Sequence, residues 1–345
     1  MSIVPPQPSL AELTTLRLGG PAAQVVTADD EAALVAAVVA ADDREEPLLI
    51  LGGGSNVVVG DDGFAGTVIL VRSRGIKVAE GCGSAQVIAQ AGEDWDSLVA
   101  AVVSDDYSGI ECLSGIPGSV GATPIQNVGA YGQEVADVIS RVRVYDRQQG
   151  QIRELLPGQC GFSYRDSVFK RRPDRYVVLA VAFRLERSGG SRPLRYPELA
   201  RQLGVGVGDR TAVTDVRDAV LSLRRGKGMV LDPADHDTWS AGSFFTNPIV
   251  DAAVADALPD AAPRFPAGGG VKVSAAWLID NAGFGRGFGE PGPVTLSHKH
   301  VLALTNRGGA TTQDLLVLAR RIRTGVHDTF GITLVPEPVF VNCEL

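Results

Sequence analysis

This sequence offers little support for disulfide bonds or a metal centre. Its four cysteines stand far apart and form no C-x-x-C pair: Cys82, Cys112, Cys160 and Cys343. Such a distribution suits a reducing compartment and lacks the spacing of a metal site. Two of the four histidines lie in Ser297–His300, which we expect to form a strand with both histidines on one face. No cysteine or acid cluster accompanies them, so we expect no bound metal.

Long apolar runs and an excess of positive charge are also absent. The longest apolar-rich run, Ala32–Ala41, is far short of the roughly 20 residues of a membrane span. The first ten residues have neither the basic region nor the apolar core of a signal peptide. A formal net charge of −8 argues against a general nucleic-acid binder. We expect a cytoplasmic protein without membrane or nucleic-acid partners, in which a local cluster of lysine and arginine holds any anionic ligand.

The two common nucleotide-binding fingerprints are missing as well. No G-x-G-x-x-G motif opens a helix, and no G-x-x-x-x-G-K-[ST] motif occurs. Residues 47–60 instead read PLLILGGGSNVVVG, which predicts a buried strand, a glycine turn and a second strand. Such a turn can direct consecutive backbone N–H groups at a phosphate. Taken alone, a tight strand–strand turn is the simpler explanation.

The most unusual stretch of the chain is Glu111–Glu134, ECLSGIPGSVGATPIQNVGAYGQE. It has no charged side chain between its two glutamates, contains five glycines, and shows neither helical nor alternating periodicity. It is apolar enough to be buried, and buried irregular backbone needs partners for its N–H and C=O groups. A large flat cofactor could supply them, with glycines allowing close approach. From composition alone, a glycine-rich structural crossover explains the stretch equally well.

Residues 114–134 closely resemble the flavin-embracing segment of the UDP-N-acetylenolpyruvoylglucosamine reductase (MurB) family. Gly52–Asn56 in turn resembles the pyrophosphate loop of the vanillyl-alcohol-oxidase type of FAD domain, to which that family belongs. The resemblance implies FAD as cofactor and NADPH as reductant. The cofactor-binding residues that it implies are Gly52, Gly53, Gly54, Ser55, Asn56, Ser114, Gly115, Pro117, Gly118, Ser119, Gly121, Ala122, Asn127, Gly129, Ala130 and Tyr131.

Three further blocks follow in the order of the family, and the resemblance assigns one catalytic residue to each. YRDSVFK carries Arg165, GSFFTNP carries Ser243, and LVPE carries Glu337. The residues alone leave plainer explanations open: ordinary ion pairing for the arginine, a capped turn for the serine, and edge exposure beside two prolines for the glutamate. The resemblance also implies a set of substrate-binding residues: Tyr164, Tyr196, Lys227, Asn247 and Lys272.

By itself, Tyr196 would more often lie in a core or at its rim. Lys227 follows two arginines at a helix end, where positive charge commonly compensates the helix dipole. The segment Ser297–His300 and the loop 283–292 depart from the family pattern, so the sequence leaves their roles open.

The resemblance covers nearly the whole chain and implies an α+β protein of the family's first type. It predicts an FAD-binding domain of the vanillyl-alcohol-oxidase (PCMH) type in two subdomains, residues 1–75 and 76–213, with a tyrosine loop near 190–203. A C-terminal α+β substrate-binding domain (214–330) follows, and residues 331–345 form a strand that carries Glu337. The implied reaction is the NADPH-dependent, FAD-mediated reduction of UDP-N-acetylglucosamine enolpyruvate to UDP-N-acetylmuramate in peptidoglycan precursor synthesis, carried out by a monomer.

Two other functions are alternatives to this one. A flavin oxidase of the same fold, acting on a small alcohol, would not need GSFFTNP together with a terminal LVPE. A non-catalytic binder of flavin or UDP-sugar should have lost Arg165, Ser243 or Glu337, and all three are present.

Local patterns predict where helices begin and end. Side chains that can cap a helix precede several apolar periodic segments. Five helices are predicted. The first is capped by Asp30 and runs to about Asp42, and the second covers Asp94–Val103. The third is capped by Thr214 and runs to Lys227, the fourth is capped by Ser274 and ends near Gly283, and the fifth runs from Thr311 to Val326 with a capping-box-like start.

Overall fold

The computed structural model describes residues 8–187 and 189–345. The first seven residues, on which part of the signal-peptide argument depends, lie outside this range. The chain divides into two compact units. The central unit comprises Ala23–Gly53 and Ala65–Gly226, and the terminal unit comprises Met1–Ala22, Gly54–Phe64 and Lys227–Leu345. The predicted domain boundaries stay a prediction.

The described chain contains both short strands and helices, with the strands often in runs, as expected for an α+β protein. The strands are β1 (Ala22–Ala28), β2 (Leu48–Leu51), β3 (Val57–Val59), β4 (Phe64–Val71), β5 (Ile76–Gly81), β6 (Ser84–Gln90), β7 (Gly129–Ala130), β8 (Gln133–Glu134), β9 (Ile139–Asp146), β10 (Gln151–Leu155), β11 (Tyr176–Glu186), β12 (Ile249–Val250), β13 (Arg264–Ala267), β14 (Gly270–Val273), β15 (Val294–Leu296), β16 (Leu304–Asn306) and β17 (Val339–Val341). The helices are α1 (Glu31–Asp43), α2 (Trp95–Ser104), α3 (Pro157–Cys160), α4 (Val168–Arg171), α5 (Pro197–Leu203), α6 (Val213–Gly226), α7 (Ala252–Asp256), α8 (Ala275–Asn281) and α9 (Thr312–Phe330).

Among the described residues, the central unit contains two larger sheets and the short pair β7-β8. A three-stranded sheet has the order β1-β4-β2, with β2 parallel to β4, and an antiparallel sheet has the order β10-β9-β11-β6-β5. Their apolar side chains share one core with α1 and α2, in which Trp95 and Phe183 are fully buried and their rings lie 5.9 Å apart. Both helices start where predicted. Asp30 accepts a hydrogen bond from the Ala33 amide at 2.7 Å, and Asp94 accepts one from Ser97 at 2.8 Å.

The terminal unit has its own core, formed by α8 and α9 with small sheets. Its sheets are β12-β14-β13, the hairpin β15-β16, and a parallel pair of β17 with β3. Ser274 caps α8 and Thr311 caps α9 with the predicted capping box, which Asp314 completes. Gly331 ends α9 in the left-handed conformation that glycine adopts without strain. These predictions are confirmed. They could be made from the sequence because a cap depends on residues only three positions apart.

Three local predictions are wrong. Thr214 does not cap a helix, since α6 already begins at Val213. Ser297–His300 is not a strand, because β15 pairs antiparallel with β16 (Leu296↔Leu304) and the chain must turn between them. Glu337 precedes the final strand, which begins at Val339. The prolines on either side of Glu337 lack the N–H that a strand ladder needs.

A buried carboxylate in the central unit gives a prediction about stability. The Asp146 side chain is fully buried and accepts hydrogen bonds from Nε and Nη2 of Arg175 at 3.1 and 2.8 Å and from Nη1 of Arg153 at 3.2 Å. Hydrogen bonds from Arg175 and then Arg153 hold its pKa below the usual value. We expect Asp146→Asn to lower the free energy of unfolding by about 1–3 kcal/mol at neutral pH, because Arg175 and Arg153 lose the charged acceptor of their hydrogen bonds.

The pH dependence of this effect has a defined sign. Because the pKa of Asp146 is lower in the folded state, its stabilisation is fully present above the unfolded value of about 4 and is lost as the pH falls through the folded value. Urea unfolding of both proteins at pH 7 and pH 3 should show the difference shrinking at pH 3. Glu154→Gln, which removes an exposed pair with Arg141, is the control and should change stability by less than about 1 kcal/mol. A difference that grows on acidification contradicts the assignment.

Candidate active site

The glycines of the 47–60 segment allow two backbones of the central unit to touch. A Cβ built on Gly53 would lie 2.7 Å from the Cα of Gly118, and one built on Gly52 would collide with the Ser119 hydroxyl. Real Cβ atoms do not approach a backbone so closely, so only glycine fits at Gly53, whereas a side chain at Gly52 would require the Ser119 hydroxyl to rotate away. Two stretches predicted to hold the cofactor therefore meet at this point.

The Glu111–Glu134 loop is buried, as predicted, and protein groups satisfy much of its backbone. The indole N–H of Trp95 donates to the Leu113 carbonyl at 3.0 Å, and the Cys112 amide donates to the Gln133 side chain at 2.9 Å. A Cβ on Gly121 would lie 2.5 Å from the Cβ of Ala91, so this glycine lets the loop pack on the residue after β6. The remaining predicted residues of this stretch, Ser114, Pro117, Ala122 and Ala130, lie along the same loop, with Ser114 fully buried.

Two acidic residues anchor this loop, in roles that were not predicted from the sequence. Asp96, in the first turn of α2, accepts the Gly115 amide at 2.6 Å and a bidentate pair from Arg217 at 2.6 and 2.9 Å. Glu111 is fully buried and accepts the backbone amides of Gly109 at 2.6 Å and Arg192 at 2.7 Å. The absence of other charges after Glu111 was the available signal for its role. For Asp96, the sequence contains no signal of such a role, since acidic residues are common in the first turn of a helix.

Three predicted site residues hold a backbone conformation that non-glycine residues rarely adopt. The φ angles are 47° for Asn127, 49° for Tyr131 and 54° for Arg165. Such strain persists only where the surroundings enforce it, and it concentrates at functional sites. Asn127 shows how it is enforced: its amide donates to Glu134 and to the Ser163 carbonyl, and its oxygen accepts from the Ala136 amide.

Arg165 lies at the tip of a tight turn beside this loop. Ser163 and Asp166 exchange backbone hydrogen bonds, which leaves Tyr164 and Arg165 as the two central residues. The Nη2 of Arg165 donates to the Gly129 carbonyl at 2.7 Å, and its guanidinium lies 5.6 Å from the centre of the Tyr164 ring. The turn therefore holds a cation directly against the predicted flavin segment.

Tyr196, predicted to bind substrate, contacts a residue predicted to bind cofactor. Its ring meets that of Tyr131 edge to face, with centres 5.4 Å apart and planes at 87°. Tyr196 precedes α5 and is 42% exposed. Burial raises the pKa of Tyr131 to about 12, against the opposing effect of the Arg224 cation, so its phenol stays protonated at neutral pH. The pair joins the tyrosine loop to the Glu111–Glu134 loop.

In the terminal unit, two predicted catalytic segments are bonded to each other. The Glu337 amide donates to the Phe244 carbonyl at 2.9 Å, and the Thr246 amide donates to the Val335 carbonyl at 3.0 Å. Phe244 and Phe245 are buried, whereas Ser243 is half-buried. Among the described residues, the Ser243 hydroxyl has no hydrogen-bond partner. The fold thus places a serine available for chemistry next to a half-buried glutamate segment.

The turn formed by Gly54, Ser55 and Asn56 supports the same segment. Asn56 donates from its side chain to the Glu337 carbonyl at 3.4 Å, and its own carbonyl accepts the Val339 amide at 3.0 Å. Gly54 has a φ of 63°, and a Cβ there would collide with the Leu13 carbonyl. Part of the predicted phosphate turn therefore fixes the backbone of a predicted catalytic residue.

The other predicted substrate residues of the terminal unit are spread over three elements. The Asn247 side chain accepts the Ala275 amide at 2.9 Å, at the start of α8. Lys272 lies on β14, directly opposite Ile249 and Phe265. Lys227 begins the last of the three segments of this unit and is half-buried.

His298 of the SHKH segment belongs to a network of ion pairs. Its Nδ1 lies 3.3 Å from Asp237 and its Nε2 lies 2.8 Å from Glu290, while Arg307 also contacts Asp237 at 2.9 Å. Across residues 8–187 and 189–345, no group of three or more histidine, cysteine or acidic side chains is arranged to hold a metal ion. In the same ranges, no helix has the length and apolar character needed to cross a bilayer.

Two family models match the chain. The model of an FAD binding domain matches residues 22–156, and that of the UDP-N-acetylenolpyruvoylglucosamine reductase C-terminal domain matches residues 232–341. Together they place an FAD-binding domain of the predicted type before a C-terminal domain of the predicted family, which confirms the predicted fold class.

Known relatives agree with both models. The chain is 60% identical to the UDP-N-acetylenolpyruvoylglucosamine reductase of Salinispora arenicola, with 97% of this chain and 95% of that protein covered. It is 57% identical to the enzyme of the same name from Thermobifida fusca, with 97% of each covered. Among solved structures, the MurB reductase from Thermus caldophilus matches with a TM-score of 0.67, 26% identity and 97% of each chain covered.

Proposed function

Because the chain belongs to the UDP-N-acetylenolpyruvoylglucosamine reductase family, we propose which of its residues perform that reaction. The enzyme is an FAD-dependent oxidoreductase, a UDP-N-acetylmuramate dehydrogenase. It uses NADPH to reduce UDP-N-acetylglucosamine enolpyruvate to UDP-N-acetylmuramate in peptidoglycan precursor synthesis. The hydrogen-bonded pairing of the Ser243 and Glu337 segments is the observation that most supports the residue assignments below.

The residues of the central unit fit a bound FAD. At Gly53 and Gly118 the two backbones touch without side chains between them. Glycine-rich turns of this kind can direct backbone N–H groups at a phosphate. The Glu111–Glu134 loop is buried and has no charge between its end residues, which suits a flat aromatic ring. When bound, FAD supplies hydride transfer from NADPH to the β-carbon of the enol ether.

Two groups are proposed to stabilise negative charge on the substrate. Addition of a hydride to the β-carbon leaves charge at the α-carbon, next to the substrate carboxylate. Fixed donors aimed at developing charge lower a barrier most when water is excluded. Arg165 offers a cation held by Gly129 and by its strained turn. Glu337, in its protonated form, is the second proposed donor.

Ser243 is the proposed proton donor to the α-carbon. An alcohol is a weak acid, but an enolate is a strong base, so proton transfer between them is reasonable. Two observations favour this serine: its hydroxyl is bonded to no described residue, and buried phenylalanines follow it directly. The fold therefore leaves the hydroxyl available and limits water around the segment.

Tyr164, Tyr196, Lys227, Asn247 and Lys272 are proposed to bind the UDP-sugar. None has a reason to transfer a proton in this reaction. Lys227 supplies a positive charge suited to a diphosphate, and Tyr196 an exposed aromatic ring. Their effect should therefore fall on binding.

We expect Lys227→Ala to raise KM for the UDP-sugar about 10-fold or more while lowering kcat much less. Loss of a contact made equally in the bound ground state and the transition state changes KM alone. Steady-state kinetics at saturating NADPH measure both constants. Arg225→Ala, which removes an exposed charge from the last turn of α6, is the control and should change neither. A fall in kcat with KM unchanged would place Lys227 among the catalytic residues.

One spectrum tests the proposed function as a whole. The purified protein should be yellow, its flavin absorbance should bleach on addition of NADPH, and enolpyruvyl UDP-N-acetylglucosamine should restore it. A colourless protein that cannot be reconstituted with FAD contradicts the proposal. Bleaching by a small alcohol but not by NADPH would indicate an oxidase of the same fold.

We also propose a monomer that acts in the cytoplasm, where UDP-linked precursors and NADPH are available. Through peptidoglycan synthesis it would contribute to cell wall biogenesis, cell shape and division. In this proposal residues 1–75 and 76–213 form the two FAD-binding subdomains, 214–330 binds the substrate, and 331–345 contributes Glu337. Size-exclusion chromatography with light scattering checks the oligomeric state.

A further inference from the structure

The residues assigned so far to FAD include no positive charge. They are glycine, serine, alanine, proline, asparagine and tyrosine, whereas the diphosphate of FAD carries two negative charges. The protein itself has a formal net charge of −8, so its overall field does not favour an anion. A cation close to the turn Gly52–Gly54, called the glycine cradle below, would supply the positive charge that the assigned residues lack.

Arg72 lies against that cradle. It directly follows β4, and its Nη1 donates to the carbonyls of Gly52 and Val71, both at 2.9 Å. Gly52 is the first glycine of the cradle, where the chain meets Ser119 of the Glu111–Glu134 loop. Arg72 thus bonds to the turn at the point where two cofactor-holding stretches meet.

Arg72 differs from several other half-buried arginines of the central unit. Arg143, Arg147 and Arg217 each pair with a carboxylate within 3 Å, on Glu31, Asp42 and Asp96 respectively. No carboxylate of the described residues lies within 4 Å of Arg72, and its hydrogen bonds to those residues both leave from Nη1. Its Nε and Nη2 therefore donate to none of the residues that the structure describes.

The surroundings make a lone cation unfavourable here. Burial lowers the pKa of Arg72, and the charge of nearby Arg74 lowers it further. A buried charge is normally paired, because its removal from water costs free energy and attraction to a counterion offsets that cost. An anionic ligand at the cradle would provide that counterion.

We propose that Arg72 binds the diphosphate of FAD, supplying the positive charge that the glycine cradle lacks while its Nη1 fixes the Gly52 carbonyl. The proposal rests on the assignment of Gly52–Asn56 and the Glu111–Glu134 loop to FAD. Arg72 is a binding residue for the cofactor and takes no part in proton or hydride transfer.

The test compares FAD, which carries the diphosphate, with riboflavin, which does not. Flavin-free full-length protein is titrated with FAD and with riboflavin, which has no phosphate, and quenching of flavin fluorescence gives Kd. Arg72→Gln should weaken FAD binding roughly 10- to 100-fold, because hydrogen bonds to charged groups are among the stronger ones. Its riboflavin Kd should stay within about two-fold of the parent value. Arg72→Lys keeps the charge and should recover much of the FAD affinity.

Arg74→Gln is the matched control. Arg74 lies two residues further along the chain and is mostly exposed, with a surface pair to Glu93 at 3.3 Å. Its loss should leave both flavin affinities unchanged. If Arg72→Gln does not fold, the comparison of Arg72→Lys with the parent for both flavins decides the question.

Three outcomes overturn the inference. FAD affinity could be unaffected in Arg72→Gln, FAD and riboflavin could weaken by the same factor, or lysine could bind FAD as poorly as glutamine. The second and third results would mean that Arg72 only shapes the Gly52 turn. If the parent protein binds no FAD, the proposed function itself fails, and that result is distinct from these three.

Discussion

Ser243→Ala is expected to be reduced by NADPH at near-normal speed and to be reoxidised by the UDP-sugar about 10²–10⁴ times more slowly. If Ser243 protonates the α-carbon, it is needed only after the substrate has received its hydride. An enolate without a proton donor returns the hydride, so the second half-reaction stalls. The buried Phe244 and Phe245 beside it limit replacement by water, which favours the upper end of that range.

The structure indicates that Ser243→Ala removes the hydroxyl without disturbing its surroundings. The Ser243 hydroxyl is bonded to no described residue, and the segment is held by backbone bonds from Phe244 to Leu302 and from Glu337 to Phe244. Removing one oxygen should therefore leave the fold and FAD content unchanged. Ser243→Cys keeps a proton donor of similar size and should recover part of the activity.

Stopped-flow spectroscopy follows each half-reaction separately. Thr246→Val is the matched control, since it removes a hydroxyl from the same segment whose partner is only the Val335 carbonyl at 3.3 Å. Both of its half-reactions should stay within a few-fold of the parent. If Ser243→Ala slows reduction by NADPH as much as reoxidation, Ser243 is structural and the proposed mechanism is wrong.

Gly53→Ala is expected to weaken FAD binding about 10- to 100-fold through one added methyl group. That carbon would lie 2.7 Å from the Cα of Gly118, so one of the two backbones must move. Overpacking of this kind costs about 1–3 kcal/mol, and here the displaced stretches are the ones proposed to hold the cofactor. Fluorescence titration with FAD and the thermal midpoint of the flavin-free protein separate loss of binding from loss of fold.

Gly158→Ala provides the control for this change. Gly158 lies in α3 of the same unit, and a Cβ there would have no atom within 4 Å. Its FAD affinity should match that of the parent. Equal FAD affinity in Gly53→Ala and the parent would show that the contact with Gly118 is not part of the cofactor site.

Features that depend on neighbours in sequence were predicted well. Asp30, Asp94, Ser274 and Thr311 each cap the helix expected of them, because the capped amide lies only two or three residues further along the chain. The cofactor segments were also recognisable, since close backbone approach restricts the sequence to glycine over several positions. The prediction for Thr214 was wrong because α6 begins at Val213, two residues before the start that a cap at Thr214 implies.

Features that depend on distant partners were not predicted. The expectation of a strand at Ser297–His300 failed because that segment connects two strands paired with each other. The sequence sets Glu111 apart by the lack of charge after it, but it does not indicate which amides Asp96 and Glu111 accept, those of Gly115 and Arg192. An acidic side chain has many commoner roles, and only the folded chain shows which amide it reaches.

The sequence by itself determined the class of this protein, its reaction and the residue types available for it, since motif and order survive in the linear chain. Only the tertiary structure decided that the Phe244 carbonyl receives the Glu337 amide, that Gly53 touches Gly118, and that Arg72 has no carboxylate partner among the described residues. Each of these facts joins positions far apart in sequence. Hydrogen bonds and contacts act over a few ångströms of space, so the path of the folded chain sets which groups meet.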